Sequence, residues 1–245
     1  MKYLVTFICH IMNEESIKRY DIIKHGLPEE YDIVFCSPTH LESDMEDFVC
    51  LNLKDCFWKH INYHIRNELC YMGIYDKYPE YDKYYFIEYD VIFNKNNTSD
   101  KWRTFFNKYN EKNIDLLCTH YNKYNKSYNS AIWKYVFLGR IEKCKVDANL
   151  LYFGFLPICM LSNRLLKDIK LYYSDNDDSF FEYLIPSLAT YKNYNIYCID
   201  DDYIQTDKNI IDSPHHKINH GSVSWYQEDK SVYDDNILIH PVKLE

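Results

Sequence analysis

The sequence predicts an α/β fold with an open, mostly parallel central sheet flanked by helices, and three observations carry that expectation. Strand-length apolar runs alternate with helix-length amphipathic stretches along the chain, the pattern that builds parallel sheets through helical crossovers. The run Tyr84-Tyr85-Phe86-Ile87 is continuously apolar, as a strand covered on both faces should be. A chain of 245 residues with 47% hydrophobic content is enough for one such domain with a full core.

Taken in order, Lys2–Cys9 reads as the first strand. It lacks a small-residue cleavage site and runs straight into His10 and Asn13-Glu14-Glu15, so a buried strand is expected there and not a signal peptide. Glu14–His25 reads as a helix, with Ile17, Tyr20, Ile23 and Lys24 at helical spacing. Tyr31–Cys36 reads as a second strand, ended by Ser37-Pro38. Phe57–Tyr71 reads as an amphipathic helix on Trp58, Ile61, Ile65 and Leu69. Tyr84–Phe93 reads as one long central strand, followed by a polar turn at Asn94–Asp100 and a helix at Trp102–Tyr109. Strands are expected at Ile114–Thr119, Leu150–Met160 and Asn195–Ile199, and helices at Asn163–Ile169 and Ser179–Tyr191. The segment 200–235 is polar and too long for an ordinary loop, so it is expected to be a lid or a mobile segment. Asn236–His240 reads as a last short strand. Leu244-Glu245 reads as a cloning remnant, leaving one domain over 1–243.

Composition removes several function classes. The net charge is -9 and no Lys/Arg run stands out, so a nucleic-acid partner is not expected. No stretch reaches the ~18 apolar residues of a membrane span. Nine cysteines without a CxxC pair do not form a disulfide framework or a paired-Cys zinc site. Reduced thiols fit a cytoplasm-like compartment, with a soluble or peripherally attached protein expected. Tyr is abundant at 26 and Gly scarce at 5; tyrosine suits strands and sugar-facing clefts, and biased codon usage gives the same composition. There is no G-x-G-x-x-G and no G-x-x-x-x-G-K-[ST], and no G-x-S-x-G or H-E-x-x-H. A bound nucleotide would need another device for its phosphates.

Glu88-Tyr89-Asp90 supplies one. Two acids spaced i and i+2 on a strand point to the same side. Ligands of open α/β sheets bind beyond the carboxyl ends of the strands. Carboxylates converging there repel unless one is protonated or a cation sits between them. Oxygen ligands with a phosphate partner suit Mg²⁺ or Mn²⁺, which would stabilise a departing diphosphate as a Lewis acid. Two solvent-facing acids at a strand end would give the same pattern.

At this strand the sequence resembles the GT-A glycosyltransferases, whose D-x-D motif ends a central strand. Tyr85-Phe86-Ile87-Glu88-Tyr89-Asp90-Val91-Ile92-Phe93 is similar to an E-Y-D-V-x-F variant in microbial glycosyltransferase-like proteins. Trp102 lies a short way downstream, as in those proteins. Ile237-Leu238-Ile239-His240-Pro241-Val242-Lys243 resembles their C-terminal H-P-x-K ending. The resemblance implies a GT-A-like, Rossmann-type single domain that moves a sugar from a UDP- or GDP-sugar to a hydroxyl acceptor in glycan synthesis. It implies Asp90, Glu88 and His240 around Mn²⁺ or Mg²⁺, with Lys243 reaching the diphosphate. Glu in place of the first Asp departs from the strict motif, so Asp90 is the firmer ligand.

The resemblance also picks out Glu182, through Glu182-x-x-Ile185-Pro186-Ser187, as the base that takes the acceptor proton, with Asp178 in reserve. Ser179 and Glu182 also have capping-box spacing, and Pro186 removes the helix bond to the Glu182 carbonyl. Gly154, between Phe153 and Phe155, suggests close approach of a ligand or of another backbone. His10, just past the first strand, lies where GT-A folds begin the nucleotide pocket. His215, His216 and His220 lack cysteine partners for a zinc site, and the acids Asp200-Asp201-Asp202 and Asp234-Asp235 read as a solvated surface. Two rival functions remain open at this point: a nucleotidyltransferase on a related sheet, disfavoured by the Gly-free segment Cys9–Asn13, and a non-catalytic nucleotide- or carbohydrate-binding protein.

Overall fold

Strands β1 (Tyr3–Ile8), β2 (Tyr31–Ser37), β3 (Phe48–Cys50), β4 (Lys83–Glu88), β6 (Leu116–Lys123), β7 (Tyr152–Ser162) and β8 (Ile196–Cys198) form one sheet in the order β3-β2-β1-β4-β7-β6-β8. The computed structural model describes residues 1–39, 41–51, 53, 68–110, 112–123, 152–175, 181–203 and 235–240. All sheet neighbours are parallel except β7, which runs antiparallel to both β4 and β6. The expected α/β class with a mostly parallel sheet is therefore what the chain adopts. A second, two-stranded ribbon pairs β5 (Ile92–Phe93) with β9 (Leu238–Ile239).

Helices cover both faces of the sheet. Alternate residues of β1 explain why: Tyr3, Val5 and Phe7 point to one face, Leu4 and Ile8 to the other, and all are buried. The first face packs on α1 (Glu14–Gly26) and α3 (Ser99–Asn110) through Tyr20, Trp102, Phe105 and Phe106. The second packs on α2 (Glu68–Lys77), α4 (Asn163–Asp175) and α5 (Phe181–Tyr191) through Tyr71, Leu165, Leu166 and Leu184. Helix α1 begins with a capping box, in which Ser16 N donates to Asn13 Oδ1 and Asn13 N to Ser16 Oγ. At its other end, a Cβ on Gly26 would lie 2.5 Å from Ser99 O and 2.8 Å from Trp102 Cβ. Glycine is thus what lets α1 and α3 meet.

Several expectations change. Lys24 is exposed and pairs with Asp47, so the buried face of α1 is Ser16, Arg19, Tyr20 and Ile23. Of the helix expected at Phe57–Tyr71, residues 57–67 lie outside the described residues; α2 continues to Lys77. Strand β3 and the four-residue helix α6 (Asp200–Tyr203) were not foreseen. Asp200 and Asp202 are not merely solvated. Asp200 accepts from His120, and Asp202 accepts from Tyr109 and Tyr197 at 2.8 and 3.0 Å. Residues 204–234 of the expected lid lie outside the described residues. The described cysteines are all free thiols, and no described helix is long and apolar enough to cross a membrane.

Asp115 ties the far half of the sheet together. It is buried, and it accepts from Ser162 Oγ at 2.8 Å, Arg164 Nε at 2.6 Å and Asn195 N at 3.0 Å. Burial alone would raise its pKa, but the bonds from Arg164, Asn195 and Ser162 outweigh it and hold the carboxyl below its ordinary value. Asp115→Asn should therefore lower the unfolding free energy by about 2 kcal/mol at pH 7, the scale of hydrogen bonds to a charged group. Arg164 is more than half exposed, so solvent screening reduces its share of that stabilisation. Because the folded pKa is depressed, the wild-type advantage is present above the unfolded carboxyl value of roughly 3.9 and shrinks as pH falls through the lower folded value. Urea unfolding of both proteins across pH 3–7 measures it.

Candidate metal centre

Strand β4 does not run on to Phe93 as expected; it stops at Glu88. Tyr89 N still reaches across to Ile8 O at 3.0 Å, and Val91 N then turns back to Glu88 O at 3.0 Å. Glu88 and Asp90 converge through this turn and not through strand alternation. The chain beyond it leaves the main sheet and pairs with β9. The antiparallel register Ile92↔Ile239 and Phe93↔Leu238, extended by Asn94 N to Ile237 O at 2.9 Å, sets His240 beside Asp90 and Val91.

Packing holds the ribbon in place. Phe93 meets the fully buried Trp102 edge-on with ring centroids 5.0 Å apart. Asn97 Oδ1 accepts from Trp102 Nε1 at 2.9 Å and from Phe93 N at 3.3 Å. Lys95 pairs with Asp235 at 3.2 Å just before β9. From the other side, buried Arg19 of α1 donates through Nη1 to Tyr89 O at 3.1 Å and through Nε to Glu15 at 3.0 Å. The sequence had marked Trp102 by resemblance; nothing in the spacing of Arg19 marked it as the brace of the acidic turn.

The result is a compact cluster. His240 Nε2 lies 3.4 Å from Glu88 Oε2 and 3.4 Å from Asp90 Oδ1, and one ligand atom from each residue falls within 4.8 Å of the others. Asp90 and His240 are buried, and Glu88 is partly open. Two carboxylate charges within 4.8 Å of each other repel by about 3 kcal/mol or more at an effective dielectric of ~20, so the cluster needs positive charge. Burial would lower the His240 pKa, but hydrogen bonding to Asp90 and Glu88, with their charges, raises it to about 9. Without a cation, the imidazolium proton supplies that charge. The donor set also fits a divalent ion. Octahedral ligands at about 2.1 Å from Mg²⁺ lie roughly 3 Å from their neighbours, close to the separations here, and two carboxylates with an imidazole suit Mn²⁺ or Mg²⁺.

Glu182, at the start of α5, is buried against this cluster. Burial first and then the Glu88 charge hold its carboxyl well above the usual range, partly opposed by the Leu156 backbone bond and by His240. The shift favours the protonated carboxyl, the form that donates a hydrogen bond, whereas the expected base is the ionised form. His10 sits past the end of β1 with its ring edge-on to Tyr89 at 5.0 Å. For Gly154 the structure gives a packing account. A Cβ there would meet Pro186 Cγ at 2.9 Å and Cys118 Sγ at 3.4 Å, so the close neighbour is α5. Asp178, Lys243, Ser179, His215, His216 and His220 lie outside the described residues.

No protein-family model and no curated protein matches the chain. Among solved structures, it is similar to a glycosyltransferase involved in glycosylation of the major capsid of PBCV-1, at 11% identity and TM-score 0.43 over 81% of this chain and 83% of that one. It is similar to an active-site mutant of LgtC at 10% identity and TM-score 0.49, over 96% and 85% of the two chains. A further similarity, at 10% identity and TM-score 0.46 over 88% and 80%, is to the galactosyltransferase LgtC with donor and acceptor sugar analogues. At these values the functional argument rests on the site itself.

Substitution of the buried members should weaken cation binding while the fold survives. Asp90→Asn and His240→Ala are each expected to weaken Mn²⁺ binding at least tenfold in calorimetric titration. Arg19→Met, which frees the turn without touching a ligand, should weaken it by about tenfold, the lower end for groups that orient metal ligands.

Proposed function

We propose that the chain is a metal-dependent glycosyltransferase that moves a sugar from a nucleoside diphosphate sugar, UDP- or GDP-linked, to a hydroxyl acceptor in glycan synthesis. The observation that carries the reading is the buried Asp90–His240–Glu88 cluster at the carboxyl end of β4. Parallel sheets present ligands at that edge, and the cluster there binds charge where no Gly-rich phosphate loop exists. The proposal takes 1–243 as one GT-A-like catalytic domain.

In this reading Asp90, Glu88 and His240 hold Mn²⁺ or Mg²⁺. When bound, the ion supplies Lewis-acid stabilisation of the charge that develops on the leaving diphosphate. The protein's residues do the rest. Arg19 fixes the acidic turn through the Tyr89 carbonyl, so the carboxylates need not reorganise during reaction. His240 must give up its proton to ligate, since imidazole binds metals in its neutral form. Glu182, whose burial favours the protonated carboxyl, is assigned a hydrogen bond to a donor oxygen. His10 and Tyr89 are assigned to the nucleotide side, beyond the ends of β1 and β4. Lys243, just past His240 in the chain, is assigned to the diphosphate as a point charge.

Purified protein with Mn²⁺ should release nucleoside diphosphate from at least one sugar nucleotide in a panel of UDP- and GDP-sugars. Chelation should stop the release and added Mn²⁺ restore it. Asp90→Ala should cost about a hundredfold or more, the scale for an essential electrostatic group. Release of pyrophosphate in place of nucleoside diphosphate would identify a nucleotidyltransferase and overturn the proposal.

A further inference from the structure

A second polar pair stands on the same edge of the sheet. His120 lies near the carboxyl end of β6, next to β7. Its Nδ1 is 3.0 Å from Asp200 Oδ2, and its backbone N–H donates to both carboxylate oxygens at 3.0 Å. The ring lies nearly parallel to Phe155, with centroids 6.2 Å apart and 9° between planes. Phe155 in turn meets the His240 ring edge-on at 5.4 Å. One aromatic ring therefore separates this histidine from the cation cluster, and its side chain is 18% exposed.

The backbone there is unusual. His120 has φ 52°, and β6 changes register against β7 between Leu117 and Thr119 and again between Thr119 and Asn122. A residue with a Cβ in the left-handed region costs about 1–2 kcal/mol. Glycine or asparagine would sit there at less cost. Local structure alone asks only for the backbone N–H that Asp200 accepts, which almost any residue would supply. The Nδ1 contact with Asp200 goes beyond what the backbone requires and holds the imidazole in a fixed orientation. Strain of this kind at a ligand-binding edge points to a role in function.

We propose that His120 is the acceptor-side base: Asp200 holds its Nδ1–H, and Nε2 takes the proton of the acceptor hydroxyl. The inference rests on the glycosyl-transfer reading. In the step, the acceptor oxygen forms a bond to the anomeric carbon, and the bond from that carbon to the diphosphate oxygen breaks. The nucleoside diphosphate leaves with the electron pair, and the hydroxyl proton ends on Nε2. Asp200 suits the supporting role. Burial would raise its pKa, but the contacts with His120 outweigh this and keep it ionised, so it can orient the ring and stabilise the imidazolium that forms.

The test compares two nucleophiles. Water must lose a proton to attack; azide is already an anion and needs no base. Wild type, His120→Asn and Asp200→Asn are incubated with Mn²⁺ and UDP-glucose, UDP-galactose or GDP-mannose, with and without sodium azide. Nucleoside diphosphate and glycosyl azide are measured. Asparagine accepts the left-handed backbone, so the variant should fold. His120→Asn should lose about a hundredfold or more of the water-supported release, while azide-supported release stays within about threefold of wild type. Retained water-supported release would overturn the assignment, as would parallel loss of both rates at an unchanged melting temperature. If His120→Asn melts lower, the same two rates measured on Asp200→Asn decide, since loss confined to water is again expected. Wild-type protein silent with every donor and both nucleophiles would remove the glycosyl-transfer reading and His120's role together. An active wild type with unaffected variants would remove His120 alone.

Discussion

Two carboxylates share a partly dry corner with one imidazole, and much of the chain is arranged to keep them there. Left alone, Glu88 and Asp90 would swing apart into water. The β5–β9 ribbon prevents this on one side by seating His240 against them. Arg19 prevents it on the other by gripping the Tyr89 carbonyl between the two acids. Buried Trp102 supports the ribbon by packing edge-on against its Phe93. The cluster is thus a product of tertiary structure: its members come from the end of a central strand, a turn, and a segment near the far end of the chain.

In the proposed function, that arrangement is how an acidic chain without a glycine-rich loop would handle a diphosphate. The corner has a fixed geometry and a deficit of positive charge. The His240 proton meets that deficit when no ion is present, and in the proposed function a divalent ion would meet it beside the donor's diphosphate. Burial and the Glu88 charge favour the neutral form of Glu182, which limits the negative charge it adds. The same edge carries His120 and Asp200 across the Phe155 ring, so one apolar side chain separates the proposed cation site from the proposed base.

The fold class was legible because burial on both faces writes itself into composition. Tyr84–Ile87 is apolar without interruption and Tyr3–Ile8 is broken by Thr6 alone, and the helices between strands show their apolar spacing. The acidic pair was legible as well, yet for a reason that differs from the actual one. Strand alternation predicted convergence, whereas the strand ends at Glu88 and a hydrogen-bonded turn brings Asp90 in. A turn without glycine or proline leaves little trace in Glu88-Tyr89-Asp90-Val91. Short β3 fell below the length at which apolar periodicity is readable. Asp200 and Asp202 looked like surface charge because their partners, His120, Tyr109 and Tyr197, are distant in sequence or carry polar groups whose direction composition does not reveal. Arg19 escaped notice for the same reason: one cation on a helix reads as solvated until the helix is docked. His240 was found through its resemblance to a C-terminal motif, since nothing local in Ile239-His240-Pro241 announces a ligand.

The central claim is that Glu88, Asp90 and His240 close around one divalent ion at the carboxyl edge of the sheet. Anomalous diffraction from crystals grown with Mn²⁺ and a nucleoside diphosphate tests it most directly. The account predicts a single strong manganese peak with the Asp90 carboxylate and His240 Nε2 at about 2.0–2.3 Å, bridged to phosphate oxygens. A peak held by other residues, or a nucleotide bound with this corner bare, would contradict it.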